Sequence, residues 1–238
     1  MNRFDPQSIY AGYEERVAVE NAAFMRKVYL IMAVGLAVTG ATALAVAATP
    51  ALTQLIFTNP LVFYGLLGIE LIMVWTFASV ARRVSALTAG AMLLAYAIVN
   101  GLTLSIVFLL YTKSSIASTF FVTGGTFAAM SAYGYATKKD LSGLGHFAMM
   151  GLIGLLIASL VNLVLGSPLL HWLTTFVGVI VFTCLIAYDT QKIKQLNVIG
   201  NEGTDEDHKE ALHGALILYL DFVNLFLYML RLLGNRRT

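Results

Sequence analysis

Apolar runs of about 20 residues or more recur along nearly the whole chain, and as helices rising 1.5 Å per residue they match the roughly 30 Å hydrocarbon core of a bilayer. Of the 238 residues, 58% are apolar and only 12% charged, against roughly 25% charged in an ordinary globular domain. A soluble domain is excluded. The chain is read as an all-α, polytopic membrane protein whose first partner is the lipid bilayer.

The runs fall at Val28 to Ala48, Leu61 to Val80, Val84 to Tyr111, Ser115 to Thr137, Leu144 to Gly166, Leu169 to Gln191 and Ala211 to Leu233, giving seven spans. Between them lie turn and charge signals: Thr49-Pro50, Asn59-Pro60, Arg82-Arg83, Thr112-Lys113-Ser114, Lys138-Lys139-Asp140, Gly166-Ser167-Pro168 and the polar Gly200 to Lys209 segment. Asn100-Gly101 interrupts the third run, which allows a kink, a steep tilt or two half-helices; it is counted as one crossing. Residues 1–27 form a polar segment, 28–233 the transmembrane domain and 234–238 a basic tail. The opening stretch is mixed in charge (Arg3, Asp5, Glu14, Glu15, Arg16, Glu20, Arg26), unlike a secretory signal, so the first span is expected to be retained. With the N-terminus in the cytoplasm, eleven of the fifteen basic residues lie inside and only Lys113, Arg231, Arg236 and Arg237 outside, as the positive-inside rule requires. The weak point is the tail, which would change sides if the last run were re-entrant or the third crossed twice.

A net charge of +2, with the basic residues spread over short loops, gives no sign of nucleic-acid binding. The single cysteine, Cys184, excludes an internal disulfide and any cysteine-based metal cluster. His146, His171, His208 and His213 lack ligand spacing, and no phosphate loop, nucleophile elbow or dinucleotide fingerprint occurs. Small residues at helical spacing, Gly124, Ala128 and Ala132 or Gly151 and Gly154, are read as packing devices between spans.

Two carboxylates carry the functional signal. Asp189 closes the apolar run Thr174 to Ala187, and Asp221 sits in the middle of the last span; ionisable groups at membrane depth cost a few kcal/mol each and are functional by default. Gly214, Asp221, Asn224, Tyr228 and Arg231 fall within about 100° of one face of the last helix, so that helix is expected to be central, surrounded by the other six or lining a cavity. Asp221 lies roughly 15 Å in from the end where Asp189 should be, so the two can meet only through tilt or an early unwinding at Asp189. If they do, they cannot both ionise and should share a proton. Arg82 falls at the level of Asp189 and could neutralise either aspartate. Glu70, mid-span, has Arg231 as its natural partner.

The segments Ala187-Tyr188-Asp189-Thr190-Gln191 and Leu218-Tyr219-Leu220-Asp221-Phe222-Val223-Asn224-Leu225-Phe226, with Leu230-Arg231 and Lys138-Lys139-Asp140-Leu141-Ser142, resemble the Bax inhibitor-1 family, in its bacterial inner-membrane branch. The resemblance covers the chain from the first span onward. It implies a seven-helix bundle with the last helix in the centre, and a pH-sensitive calcium leak gated by paired aspartates that match Asp189 and Asp221. It also implies an arginine latch, which Arg82 matches by position, or Arg83 with a one-residue offset, and an acid and base at Glu70 and Arg231.

The leading expectation is therefore a passive, proton-regulated cation pathway with calcium as the permeant ion and no cofactor. Asp189, Asp221 and nearby carbonyls would supply transient hard oxygen contacts for which protons compete. An alternative is a regulator that binds other membrane proteins, such as a quality-control protease or stress-response partner, without conducting. An intramembrane aspartyl protease fits at Tyr188-Asp189 but fails at Asp221, where Leu218, Tyr219 and Leu220 replace the small residues such an enzyme needs; no enzyme is expected. A proton-coupled carrier lacks an inverted repeat between the halves.

Overall fold

The computed structural model describes residues 6–81 and 83–237, with side chains from residue 12 onward. Eight helices follow one another: α1 (Pro6–Ala47), α2 (Pro50–Phe57), α3 (Pro60–Val80), α4 (Ala86–Leu110), α5 (Lys113–Ala136), α6 (Ser142–Leu165), α7 (Pro168–Leu196) and α8 (Asp205–Leu233). Their starts are written in the sequence. Pro50, Pro60 and Pro168 occupy first-turn positions, where the missing N–H costs nothing, and the side chains of Asn59, Ser85, Thr112, Ser167 and Thr204 accept first-turn N–H groups. Gly166 ends α6 at φ 60°, a left-handed position that favours glycine.

Seven helices are long, and six of them are long and apolar enough to cross a membrane. The exception, α5, matches its neighbours in length but carries many hydroxyls, and the face bearing Ser115, Thr119, Thr123 and Ser131 is turned inward and buried. The third run is one continuous helix through Asn100-Gly101. The Thr49 to Pro60 stretch, read as turns, encloses the short α2. Residues 6–27, read as a polar segment, are helical and continue directly into the first span, and α7 and α8 both extend past their expected ends.

The last helix is central, but it packs against α1, α4, α5 and α7 rather than all six; α3 and α6 flank the bundle against α4 and α7. Only 6% of the α3 window and 11% of the α6 window is buried, which leaves both faced with apolar side chains such as Trp75, Leu163 and Val164 toward lipid. Around α8 gather Tyr219, Leu218, Leu225, Ala215 and, from α7 and α1, Ile186, Ile193 and Val28, all at or near zero exposure.

The α5–α6 turn and the α7–α8 loop lie at one end of the bundle, here termed the basic end. There Glu20 accepts the Gly200 N–H at 2.8 Å, Asn197 donates to Asn21 at 2.9 Å, and Asp205 accepts the Ala86 N–H at the start of α4 at 2.8 Å. Lys27 of α1 forms an ion pair with Asp207, which is 2% exposed and also accepts the Gly203 N–H. At the opposite end the tail lies along the α4–α5 turn: the Arg237 N–H donates to the Leu110 carbonyl at 2.8 Å and the Asn235 N–H to Ser115 Oγ at 2.8 Å. With α4 and α8 each continuous, the tail stays at the end that bears Lys113.

Candidate functional site

The face of α8 bearing Gly214, Asp221 and Tyr228 is its interface with α7. A Cβ on Gly214 would meet Ile193 at 2.6 Å, and a Cβ on Gly178 would meet the ring of Tyr228 at 2.6 Å, so the two antiparallel helices are in register along the whole stripe. Tyr228 also stacks on Phe182, centroids 5.7 Å apart. Between these contacts the carboxyls of Asp189 and Asp221 come within hydrogen-bonding reach of each other. No unwinding is needed, because α7 is helical to Leu196. Asp221 lies about 10 Å beyond Gly214 along α8, Asp189 about 6 Å before Ile193 along α7, and the side chains close the remaining difference of roughly 5 Å.

Asp221 is 5% exposed, and its Oδ2 finds no donor. Asp189 is half-buried, with Lys192 contributing positive charge from one turn on. Two close approaches hold the Asp189 segment in place. A Cβ on Gly134 of α5 would stand 2.1 Å from the Ala187 carbonyl oxygen, and one on Gly145 of α6 would stand 2.5 Å from the Tyr188 ring. Glycine at these two positions lets α5 approach the backbone of α7 and α6 approach the Tyr188 ring so closely. By contrast a Cβ on Gly124 meets nothing, so the Gly124, Ala128, Ala132 stripe is not a tight helix contact. Next to Asp189, buried Thr190 hydrogen-bonds Ser131 of α5 at 2.8 Å, and Ser131 bonds Tyr29 of α1 at 2.6 Å. The chain of hydroxyls joins the helix that bears one aspartate to two others. It gave no signal in the sequence, because Ser, Thr and Tyr in apolar runs read as ordinary packing.

A second polar network occupies the other half of the bundle. Glu70 does not meet Arg231: it accepts from Thr103 at 2.5 Å and from Asn100 at 3.4 Å. Asn100 in turn accepts from the Tyr219 hydroxyl at 2.9 Å, and Tyr219 bonds Thr39 at 2.7 Å. Arg231 is exposed beyond the stripe and lies over the Tyr228 ring at 5.4 Å, because three residues past Tyr228 the helix has already left the α7 contact. Asn224 is half-buried and donates to the Leu220 carbonyl at 2.8 Å, an intrahelical bond rather than a contact with either aspartate. Arg82 lies outside the described residues. Arg83 is exposed in the α3–α4 turn.

The arrangement can hold a proton or briefly contact a cation, but two carboxylates fall short of the six to eight oxygens of a resident calcium site. Among the described residues no group of three or more His, Cys, Asp or Glu is placed to hold a metal ion.

The family model described as "Inhibitor of apoptosis-promoting Bax1" matches residues 21–238. The chain is 47% identical to the inner membrane protein YbhL of Escherichia coli K12 over 215 residues, covering 90% of this chain and 92% of that one. It is also 44% identical to the uncharacterized protein RP147 of Rickettsia prowazekii, over 90% of each chain, and 39% identical to an uncharacterized Borreliella burgdorferi protein, over 94% and 97%. With an acidic pair at the centre of a helical bundle and a match that runs from the first span to the end, the chain belongs to the Bax inhibitor-1 family.

Proposed function

We propose that this protein is a passive, pH-regulated calcium leak of the bacterial inner membrane, with the basic end and the N-terminus in the cytoplasm and the Asp189–Asp221 pair as its gate. One observation carries the reading: a carboxyl oxygen on the central helix is buried without a donor, and the group within its reach is another carboxyl. Such a pair is closed by a shared proton, and it opens to a cation when that proton leaves, so protons and calcium compete for the same oxygens. The hydroxyl chain from Thr190 to Tyr29 and the two glycine approaches would transmit that change to α5, α6 and α1. Placement in an inner membrane is supported by the name of the Escherichia coli relative and by the six apolar spans. A conductor is favoured over a hydrolase by the bulk around Asp221, where Leu218 and Tyr219 are fully packed and leave no room for a peptide backbone.

The test is calcium entry into liposomes containing the purified protein, followed with an entrapped dye as external pH is varied. A protein-dependent flux that titrates is expected. Flux equal to that of protein-free liposomes at every pH would overturn the proposal.

A further inference from the structure

We propose that the protein carries a specific site for an anionic phospholipid, headgroup and acyl chain together, where α1 parts from α5 at the basic end. The headgroup would enter a cleft of about 410 Å³ lined by Lys138, Lys139 and Lys194. Three lysines face one carboxylate there, Asp140, whose oxygen is already engaged by the Ser142 N–H at 2.9 Å. The turn that carries two of these lysines is held in place, and so is the side chain of the third. Gln191 of α7 accepts the Leu141 N–H and donates to the Lys139 carbonyl, both at 2.9 Å, which fastens the α5–α6 turn to α7. Lys194 lies 4.4 Å from the Tyr135 ring centroid and donates to the Tyr135 carbonyl at 3.0 Å.

Tyr135 is also the end wall of a second, apolar groove of about 720 Å³ that runs between α1 and α5 past Met25, Phe127 and Ala132, with Arg26 at its rim. The groove exists because α1 packs on α4 and α8 while α5 packs on α7 and α8, so α1 and α5 diverge. A basic cleft that shares Tyr135 with an apolar groove at the end of transmembrane helices fits an amphiphile with a phosphodiester head and an acyl chain, and basic pockets between helices are known to take such headgroups. A free phosphate would use only the cleft. Tyr29 and Ser131 line the groove, so an acyl chain there would lie against the hydroxyl chain that leads to Thr190.

The experiment measures the thermal unfolding midpoint of the full chain in neutral detergent on titration with short-chain phosphatidylglycerol, short-chain phosphatidylcholine or inorganic phosphate. Phosphatidylglycerol is expected to raise the midpoint by about 5 °C near saturation, with the rise shrinking as salt is added and phosphatidylcholine giving little. Replacing Lys138, Lys139 and Lys194 together by Gln should abolish the rise. Ala132→Phe, which fills the groove and leaves every charge in place, should reduce it as well. Equal stabilisation by both lipids, an undiminished rise in the lysine variant or in Ala132→Phe, or phosphate acting as well as phosphatidylglycerol would overturn the assignment. None of these readouts depends on calcium flux, so the site and the leak stand or fall separately.

Discussion

Replacing Asp221 by Asn changes one atom of the pair and removes its titration. Asp221 is 5% exposed and faces the Asp189 carboxyl. Two unit charges about 4 Å apart, at an effective dielectric of about 20, repel by about 4 kcal/mol, and an energy of that size disfavours the doubly ionised pair by roughly a thousandfold. In the proposed gate a proton is therefore held until a cation takes its place. In Asp221→Asn the amide donates to Asp189, so the contact persists, the repulsion between two carboxylates is gone, and Asp189 is left to titrate alone. The midpoint of the pH dependence of calcium flux into liposomes should then move by at least about one pH unit from the parent's, since a repulsion of up to about 4 kcal/mol between the two carboxylates is removed. Asp189→Asn should behave alike, since it removes the other half of the same repulsion. The measurement compares each variant with the parent at equal reconstituted amounts, with a cooperative thermal transition establishing that the variant is folded. Either Asn variant keeping the parent's pH profile would refute the reasoning, because the repulsion it rests on needs both carboxylates.

Lys27→Ala should destabilise the protein by about 2 kcal/mol in thermal unfolding: losing one partner of a buried pair costs about 3–5 kcal/mol, reduced because the Lys27 side chain is 28% exposed. The double variant Lys27→Ala/Asp207→Ala should recover at least half of that loss, and a double variant no more stable than the single one would dismiss the buried charge as the cause. Gly134→Ala places a Cβ 2.1 Å from the Ala187 carbonyl oxygen and should cost about 1–3 kcal/mol, whereas Gly124→Ala, with nothing within 4 Å, should melt as the parent does; equal melting of the two would contradict the packing. In a Cys184→Ser background, an impermeant maleimide should reach Lys139→Cys only from the cytoplasm and Asn235→Cys only from outside. Labelling of both from the same face would rule out the seven-crossing arrangement.

The helices were legible because lipid leaves the backbone few choices: long apolar runs, prolines in first turns and capping hydroxyls mark the elements that fold. Their ends were less legible. Polarity ended α7 at Gln191 and started α8 at Ala211 on the sequence, yet both helices run on outside the apolar layer, where polarity is no barrier to a helix. Thr204 followed by Asp205, Glu206 and Asp207 is a helix-start signal of capping hydroxyl and first-turn acids, and it places Asp207 one turn into α8, within reach of Lys27.

That difference in helix ends also decided how the aspartates were expected to meet. Counting depth from the apolar boundaries sets Asp189 near the surface and Asp221 roughly 15 Å below it, so that tilt or an unwound α7 would be needed to join them. The depths of two residues on neighbouring helices, however, follow from the register between those helices, not from where each one leaves the apolar layer. Here the register is fixed by Gly214 against Ile193 at one end and Gly178 against Tyr228 at the other. No pattern within a single helix encodes such a pairing, because it depends on which glycine admits which side chain from another segment of the chain. Asp189 and Asp221 stand out in the sequence as carboxylates in apolar runs, but Glu70 could not be assigned its partners by charge alone. Its carboxylate is satisfied by two neutral donors, Asn100 and Thr103. Within lipid the search for a counter-charge is only one of two ways to compensate a carboxylate, and neutral hydrogen bonds or a held proton are the other. The same choice faces the aspartates: Asp221 meets an acid rather than a base, and repulsion between two carboxylates favours a proton held between them.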